Sequence, residues 1–169
     1  NSSTGQITVA GGAALDYETT PSFTLTVQVR DAGGLTATGT ATVNLTNVNE
    51  SPTVNSAVFS LPENSANGTV VGTVTASDPD AGDTLTYSIT GGNANNVFAI
   101  NASTGQITVA NTAALDFEAT PAFTLTVKVQ DAGGLTGSAT ATVNLTNVNE
   151  APTVNNAVFS LPENSANGT

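Results

Sequence analysis

Residues 123–130 read FTLTVKVQ, and this stretch decides the fold because apolar and polar residues alternate along it without a break. In a β-strand successive side chains point to opposite faces, so Phe123, Leu125, Val127 and Val129 would share one face. The turn sequence DAGG follows at 131–134, and a second run rich in Thr and Val follows at 136–148. The region therefore predicts two strands, separated by a turn, of a sheet that is buried on one side.

Five further runs of the same kind lie upstream and are separated by turn sequences such as DPDAGD and ASTG. These runs occupy residues 57–64, 70–77, 85–90, 98–101 and 106–110. No segment shows the apolar period of a helix. Seven short strands at this spacing predict an all-β fold, a seven-stranded Greek-key sandwich of the immunoglobulin-like kind.

The sequence repeats itself after one hundred residues. Residues 1–69 align with residues 101–169 without a gap, and 56 of the 69 aligned positions are identical. This period suits one β-sandwich domain and is too long for one turn of a solenoid. The sequence thus predicts tandem repeats: the C-terminal half of one repeat at 1–50, a complete repeat at 51–150 and the start of a third at 151–169. We expect the chain to be a piece of a longer array.

The composition excludes several classes of function. The 169 residues include 13 acids, two bases and no His, Cys, Met or Trp, and the net charge is −11. Without His or Cys, zinc, haem and iron–sulfur sites of ordinary ligation are excluded, as are Ser–His–Asp and Cys–His catalysis. Arg30 and Lys128 are too few to neutralise nucleic acid or an anionic membrane surface. No apolar run is long enough to insert into a bilayer.

The acids are not scattered over the strands but lie at strand ends and in turns. They fall in the sequences PEN, DPDAGD, LDYE or LDFE, DAGG and NVNE. Carboxylates gathered without basic partners repel one another by roughly 4 kcal/mol per pair at about 4 Å and an effective dielectric near 20. Calcium relieves such repulsion and takes oxygen ligands only, which suits a chain without His or Cys. The alternative is a set of solvated turn acids, since Asp is common in turns.

Six motifs, in order along the complete repeat, resemble the cadherin repeat in its bacterial tandem-array form. The motifs are PEN at 62–64, SDPD at 77–80, FAINASTGQITV at 98–109, LDFE at 115–118, FTLTVKVQDAGG at 123–134 and NVNEAP at 147–152. The resemblance covers the whole chain. It implies cadherin-like β-sandwich repeats in tandem, with calcium bound at the junctions between successive repeats.

The resemblance also implies which residues would bind calcium. Ligands at the junction inside the chain would be Asp16, Glu18, Asn49, Glu50, Asp78, Asp80 and Asp131. Ligands at the near half of a second junction would be Glu63, Asp116, Glu118, Asn149 and Glu150. The glutamate of the PEN motif belonging to the first junction, and the DPD and DAGG motifs belonging to the second, are not among the 169 residues, so we expect neither junction to be complete.

The chain departs from the family pattern in its linker. Asn47 and Asn147 stand where the family usually has Asp, and Ser51 or Ala151 precedes proline directly, so that one linker Asn is missing. We therefore expect two or three calcium ions at a complete junction, where seven carboxylates would gather. Asp83 lies near a position at which the family often has Asn, and its role stays open.

These observations predict a calcium-stiffened structural and adhesive repeat of a long extracellular or cell-surface protein, with neighbouring repeats or identical chains as partners. A glycan-binding or cell-binding module is one alternative, although few aromatic residues are free to form a sugar platform. A second is a filament protomer joined head to tail, with residues 151–169 adding a strand to residues 1–50 of another copy. An enzyme using Asp116 and Glu118 as acid and base is disfavoured because no substrate groove is indicated.

Overall fold

The computed structural model describes residues 1–10 and 15–168, which form β-strands and two single turns of 3-10 helix. No helix in these ranges is long and apolar enough to cross a lipid bilayer. The strands are β1 Ser22–Arg30, β2 Thr36–Asn44, β3 Thr53–Val54, β4 Ala57–Pro62, β5 Val70–Thr73, β6 Ala76–Ser77, β7 Thr86–Gly91, β8 Phe98–Ile100, β9 Gln106–Val109, β10 Ala122–Gln130 and β11 Thr136–Thr146. The 3-10 turns are Ala94–Asn96 and Thr112–Ala114.

Strands β4 to β11 form a sandwich of two principal sheets. One sheet has the order β4-β11-β10-β7, in which β4 and β11 are parallel and the other pairs antiparallel. The other sheet has the antiparallel order β5-β9-β8, and β3 pairs with β6 beside it. The predicted all-β sandwich is confirmed.

All seven predicted strands are present, with one difference. The run at 70–77 divides into β5 and β6, and between them the N–H of Val74 donates to the carbonyl of Gly105 at 3.0 Å. The sequence does not predict strand β3, which consists of two residues that pair with β6. Such a short element has too few residues to show a period.

Strand β10 is the centre of the core, as its alternation predicts. Leu125, Val127 and Val129 are fully buried, while the alternate residues face out. The ring of Phe123 meets that of Phe98 edge to face, with centroids 5.2 Å apart, an arrangement that aromatic pairs favour. The two sheets therefore close over one apolar core.

The β1–β2 hairpin has the same register as β10–β11, but among residues 1–10 and 15–168 no second sheet lies opposite it. Its pairing runs from Ser22 with Asn44 to Arg30 with Thr36, one hundred residues before the matching pairs of the central sandwich. Yet Leu25 is 38% exposed and Val29 62%, whereas their counterparts are fully buried. Among the described residues, β2 pairs with β1 alone.

Residues 151–168 form no strand, although they repeat the sequence of β3 and β4. Their apolar side chains are exposed, Val158 at 95%, Phe159 at 85% and Leu161 at 62%. In the central sandwich the matching Leu61 is 3% exposed. The same leucine is therefore buried in the central sandwich and exposed in residues 151–168.

Candidate metal centre

Three carboxylates from separate segments meet where the hairpin segment joins the central sandwich. Glu18 lies in the turn before β1, Glu50 in the linker after β2, and Asp80 in the turn after β6. One oxygen from each lies within 4.8 Å of the others. We call this group the linker cluster. Like charges at this spacing repel, so the arrangement suits a bound cation.

A second group, the turn cluster, consists of Asp78, Asp83 and Asp131. Asp131 is 6% exposed, and its Oδ1 accepts the N–H of Leu135 at 2.7 Å. Asp83 Oδ1 accepts the N–H of Thr84 at 2.6 Å and that of Ala132 at 3.3 Å. Asp83, whose role the sequence left open, thus joins two predicted ligands. Its position in the same short turn as Asp78 is the signal that could have indicated this.

Hydrogen bonds from the linker hold the two clusters together. Asp80 accepts the side-chain amide of Asn47 at 2.7 Å and the backbone N–H of Glu50 at 3.0 Å. The N–H of Asp80 in turn donates to Asp78 at 3.0 Å. Asn47, which departs from the family pattern, therefore acts here as a donor that positions a carboxylate.

Asn49 ties the linker to the DAGG turn. Its side-chain amide donates to Asp131 Oδ2 at 2.8 Å. A Cβ on Gly133 would lie 2.5 Å from the amide oxygen of Asn49, which is closer than side-chain atoms pack. The first glycine of this DAGG motif is thus needed for the close approach of the linker.

One buried oxygen in each cluster has no hydrogen-bond partner in the described part of the chain. These atoms are Glu50 Oε2 and Asp78 Oδ2. Buried polar atoms are almost always paired, and an unpaired one costs free energy. A carboxylate oxygen left in this way is what a calcium ion binds, so the donor set fits calcium.

The electrostatics of the linker cluster differ from residue to residue. Burial raises the pKa of Glu50, and the charges of Glu18, Asp80, Asp16 and Asp78 raise it further. The pKa of Asp80 is lowered, because the backbone N–H of Glu50 and the amide of Asn47 stabilise its carboxylate. The pKa values of Glu50 and Asp80 are thus shifted in opposite directions, and the charged form of Glu50 is the disfavoured one of the two.

Asp16 lies outside both groups of three carboxylates, and its role as a ligand, like that of Asn49, stays a prediction. Asp16 accepts the backbone N–H of Thr19 at 2.8 Å and its hydroxyl at 2.9 Å, and the first of these bonds chiefly lowers its pKa. Asn49 lies beside the turn cluster through its bond to Asp131. Asp16 acts on Glu50 through its charge.

A third group, the far cluster, lies at the other end of the sandwich and consists of Glu63, Asp116 and Glu118. Glu63 is 2% exposed and accepts two backbone N–H groups, those of Phe117 and Val148, each at 2.7 Å. Asp116 accepts the N–H of Ala119 at 2.8 Å.

Two glutamates at this end of the sandwich accept hydrogen bonds from asparagine side chains. Glu118 accepts the side-chain amide of Asn147. Glu150 accepts that of Asn64 at 2.7 Å and lies outside the cluster. Asn149 is exposed, and its role as a ligand stays a prediction.

The fold and these clusters together define a tandem β-sandwich repeat with acidic ends. The profile of the cadherin domain matches residues 57–146, more than half of the chain. The chain therefore belongs to the cadherin family, which confirms the resemblance seen in the motifs.

Relatives and solved structures agree with this assignment. The chain is 39% identical to mouse Protocadherin Fat 4 over its whole length and 38% identical to Cadherin-87A of Drosophila melanogaster over 91% of it. It matches extracellular cadherin domains 1–4 of Protocadherin Gamma B7 with a TM-score of 0.66 and 26% identity, over 79% of this chain and 34% of that one. The chain spans only 4% and 8% of the two relatives.

The family also fixes the broad class of function. Cadherin domains are extracellular modules of adhesion proteins and not enzymes, and the chain is an extracellular adhesion-type repeat in this sense. The predictions of an extracellular setting and of a non-enzymatic role are both confirmed.

Proposed function

We propose that the chain binds calcium where residues 1–50 meet residues 51–150, and that calcium stiffens this junction. The observation that supports the proposal most directly is a pair of buried oxygens, Glu50 Oε2 and Asp78 Oδ2, that have no hydrogen-bond partner among the described residues. Each belongs to a group of three carboxylates. Bound calcium would supply the positive charge that these groups lack.

The ligands fall into two sets. Glu18, Glu50 and Asp80 would hold one ion, and Asp78, Asp83 and Asp131 a second. Since the three members of the first set come from the hairpin segment, the linker and the sandwich, binding there would cross-link them. Asp16 and Asn49 would support the sets through charge and hydrogen bonding.

The far cluster would form half of a similar site. Glu63, Asp116 and Glu118 would bind an ion together with Glu150 and Asn149, and acids of a following repeat would complete it. We also propose the division into 1–50, 51–150 and 151–169, and a role as a spacer and adhesive repeat in a long surface protein, for which a bacterial setting stays a prediction. Its partners would be neighbouring repeats or identical chains.

Calorimetric titration with calcium tests this function, and the repeat supplies a matched control. Asp131 and Asp31 begin equivalent DAGG turns one hundred residues apart. Each accepts the N–H of the leucine four residues later, at 2.7 and 2.8 Å. Only Asp131 belongs to a cluster among the described residues. Asp131→Asn should therefore weaken calcium binding by about tenfold or more, while Asp31→Asn should leave it unchanged. Equal effects, or no calcium binding by the unaltered chain, would contradict the proposal.

A further inference from the structure

Three hydrogen bonds join the linker after β2 to the central sandwich. The side-chain amide of Asn47 donates to Asp80 Oδ1 at 2.7 Å, and the backbone N–H of Glu50 donates to Asp80 Oδ2 at 3.0 Å. The side-chain amide of Asn49 donates to Asp131 Oδ2 at 2.8 Å. We call these the linker bonds. In each of them the linker supplies the N–H and the sandwich supplies a carboxylate, so they form without a metal ion.

The turn before β1 is joined to the sandwich differently. Among the described residues, the hydrogen bonds of residues 16–21 stay within residues 16–45, and the one nearest the linker runs from the N–H of Leu45 to the carbonyl of Pro21 at 2.9 Å. Two cavities, of about 320 and 430 Å³, lie between this turn and residues 79–81 of the sandwich. The hairpin turn and the sandwich therefore face each other without a hydrogen bond in the described part of the chain.

The end of the linker that leads into the sandwich is fixed by packing. A Cβ on Gly137 would lie 2.1 Å from the carbonyl oxygen of Pro52, so Pro52 lies directly against β11. Strand β3, which follows, pairs with β6. The linker bonds extend this fixed part back to Asn47. Only Thr46 then separates it from Leu45, which is bonded to the hairpin turn.

We propose that the linker bonds hold residues 47–50 on the sandwich without calcium, and that the calcium-free chain bends at Thr46. Asn47 determines how firmly the linker is held, because it is the side chain that donates to Asp80. A carboxylate at position 47 could not donate, and it would place a second negative charge against Asp80. The bond would be lost and repulsion would take its place.

The inference also states what calcium would do, and this part rests on the proposed function. Glu18 is the member of the linker cluster that belongs to the hairpin segment, while the linker bonds already align Glu50 with Asp80. Because two of the three carboxylates are aligned beforehand, less conformational entropy is lost when an ion binds. Calcium would therefore fix the direction of the hairpin and leave the linker where it is.

Hydrogen exchange of the Glu50 amide in chelator measures whether the linker stays on the sandwich. This amide bonds Asp80 Oδ2 and Asn47 bonds Oδ1, so Asn47→Asp leaves the donor and the acceptor of the measured bond in place. Asn47 is not adjacent to Glu50 in the chain, so the intrinsic exchange rate of this amide is unchanged. We expect Asn47→Asp to speed its exchange by about tenfold or more, because a bond to a charged group is lost and like charges meet.

Asn147→Asp is the matched control. It makes the same substitution in the second NVNE motif, where the side-chain amide of Asn147 donates to Glu118 at the other end of the sandwich. The buried Val127 amide of β10 should exchange equally slowly in all three proteins, which separates loss of the linker bonds from loss of the fold. A Glu50 amide that is unprotected in the unaltered chain, or that responds no more to Asn47→Asp than to Asn147→Asp, would overturn the proposal.

Distances between pairs of spin labels locate the bend. The chain contains no Cys, so Cys introduced at the exposed positions Thr26, Val48 and Thr126 takes the labels selectively. In chelator we expect a narrow distribution of distances from 48 to 126 and a broad one from 26 to 126, and calcium should narrow the second. Equal widths in chelator would contradict a bend at Thr46. A second distribution that calcium leaves broad would contradict the proposed function and leave the linker bonds standing.

Discussion

At the scale of single residues, Glu50 connects the chemistry of the junction to pH. Its carboxylate has a raised pKa because of burial and of four neighbouring acids. One of its oxygens is buried and has no hydrogen-bond partner in the part of the chain that the structure describes. Ionised Glu50 is therefore unfavourable unless a cation lies beside it. This makes it the residue at which protons and calcium compete most directly.

Acidification should weaken calcium binding through Glu50. As the pH falls from 7 through the raised pKa, Glu50 takes up a proton that calcium must displace. Glu50→Gln should bind calcium at least about tenfold more weakly at pH 7, and its affinity should depend less on pH than that of the unaltered chain. Calorimetry at several pH values measures both effects. A pH dependence as steep in the variant would assign the competition to another group.

Without calcium, a lower pH should favour the ordered junction. The ordered junction binds more protons than the separated segments, because the pKa of Glu50 is raised above its ordinary value of 4.5. In chelator, order should therefore increase as the pH falls from 7 to that value, and Glu50→Gln should be ordered over the whole range. Amide hydrogen exchange of residues 45–50 at matched intrinsic rates measures this, and greater protection at pH 7 than at pH 5 would contradict it.

Gly133 provides a residue-scale test of the linker contact. Gly133→Ala should weaken calcium binding by about tenfold, because the new Cβ would displace Asn49 from Asp131. Gly33→Ala is the control, since its Cβ would meet nothing closer than 3.4 Å. Calcium titration of both variants gives the comparison, and equal affinities would show that the contact between Asn49 and Asp131 has no part in binding.

At the scale of elements, the two copies of the hairpin show how nearly the same sequence behaves in two different surroundings. Leu125 on β10 is fully buried and Leu25 on β1 is 38% exposed, although both strands contain FTLTV in the same register. Leu125→Ala should lower the free energy of unfolding by about 2–5 kcal/mol, and Leu25→Ala by less than about 1 kcal/mol. Denaturant unfolding measures both, and similar losses would mean that the hairpin has a core of its own.

The seven strands were predictable because period-two alternation and turn residues are local signals. The site was predictable in part: the motifs predict Glu18, Glu50 and Asp80 as ligands, but they do not give the distances between these residues. The grouping of Asp83 with Asp131 depends on two turns meeting across the fold. The donor role of Asn47 and the need for Gly133 likewise depend on how the linker packs, which no local pattern records.

At the scale of the whole molecule, nine of the 13 acids belong to the three carboxylate clusters. The core of the central sandwich consists of apolar side chains and contains no cluster residue except Glu63 and Asp131 at its two ends. Calcium removal should therefore loosen the junction while the sandwich stays folded. We therefore expect the stiffness of the chain to depend on calcium and the stability of the central sandwich to be largely independent of it.

Small-angle X-ray scattering with calcium and with chelator tests this claim most directly. With calcium we expect one extended shape with a defined maximum dimension. In chelator we expect a broader distribution of distances and a smaller mean radius of gyration, because the carboxylates at the junction repel and the linker bends. Identical scattering in both conditions, from protein shown to bind calcium, would contradict the account.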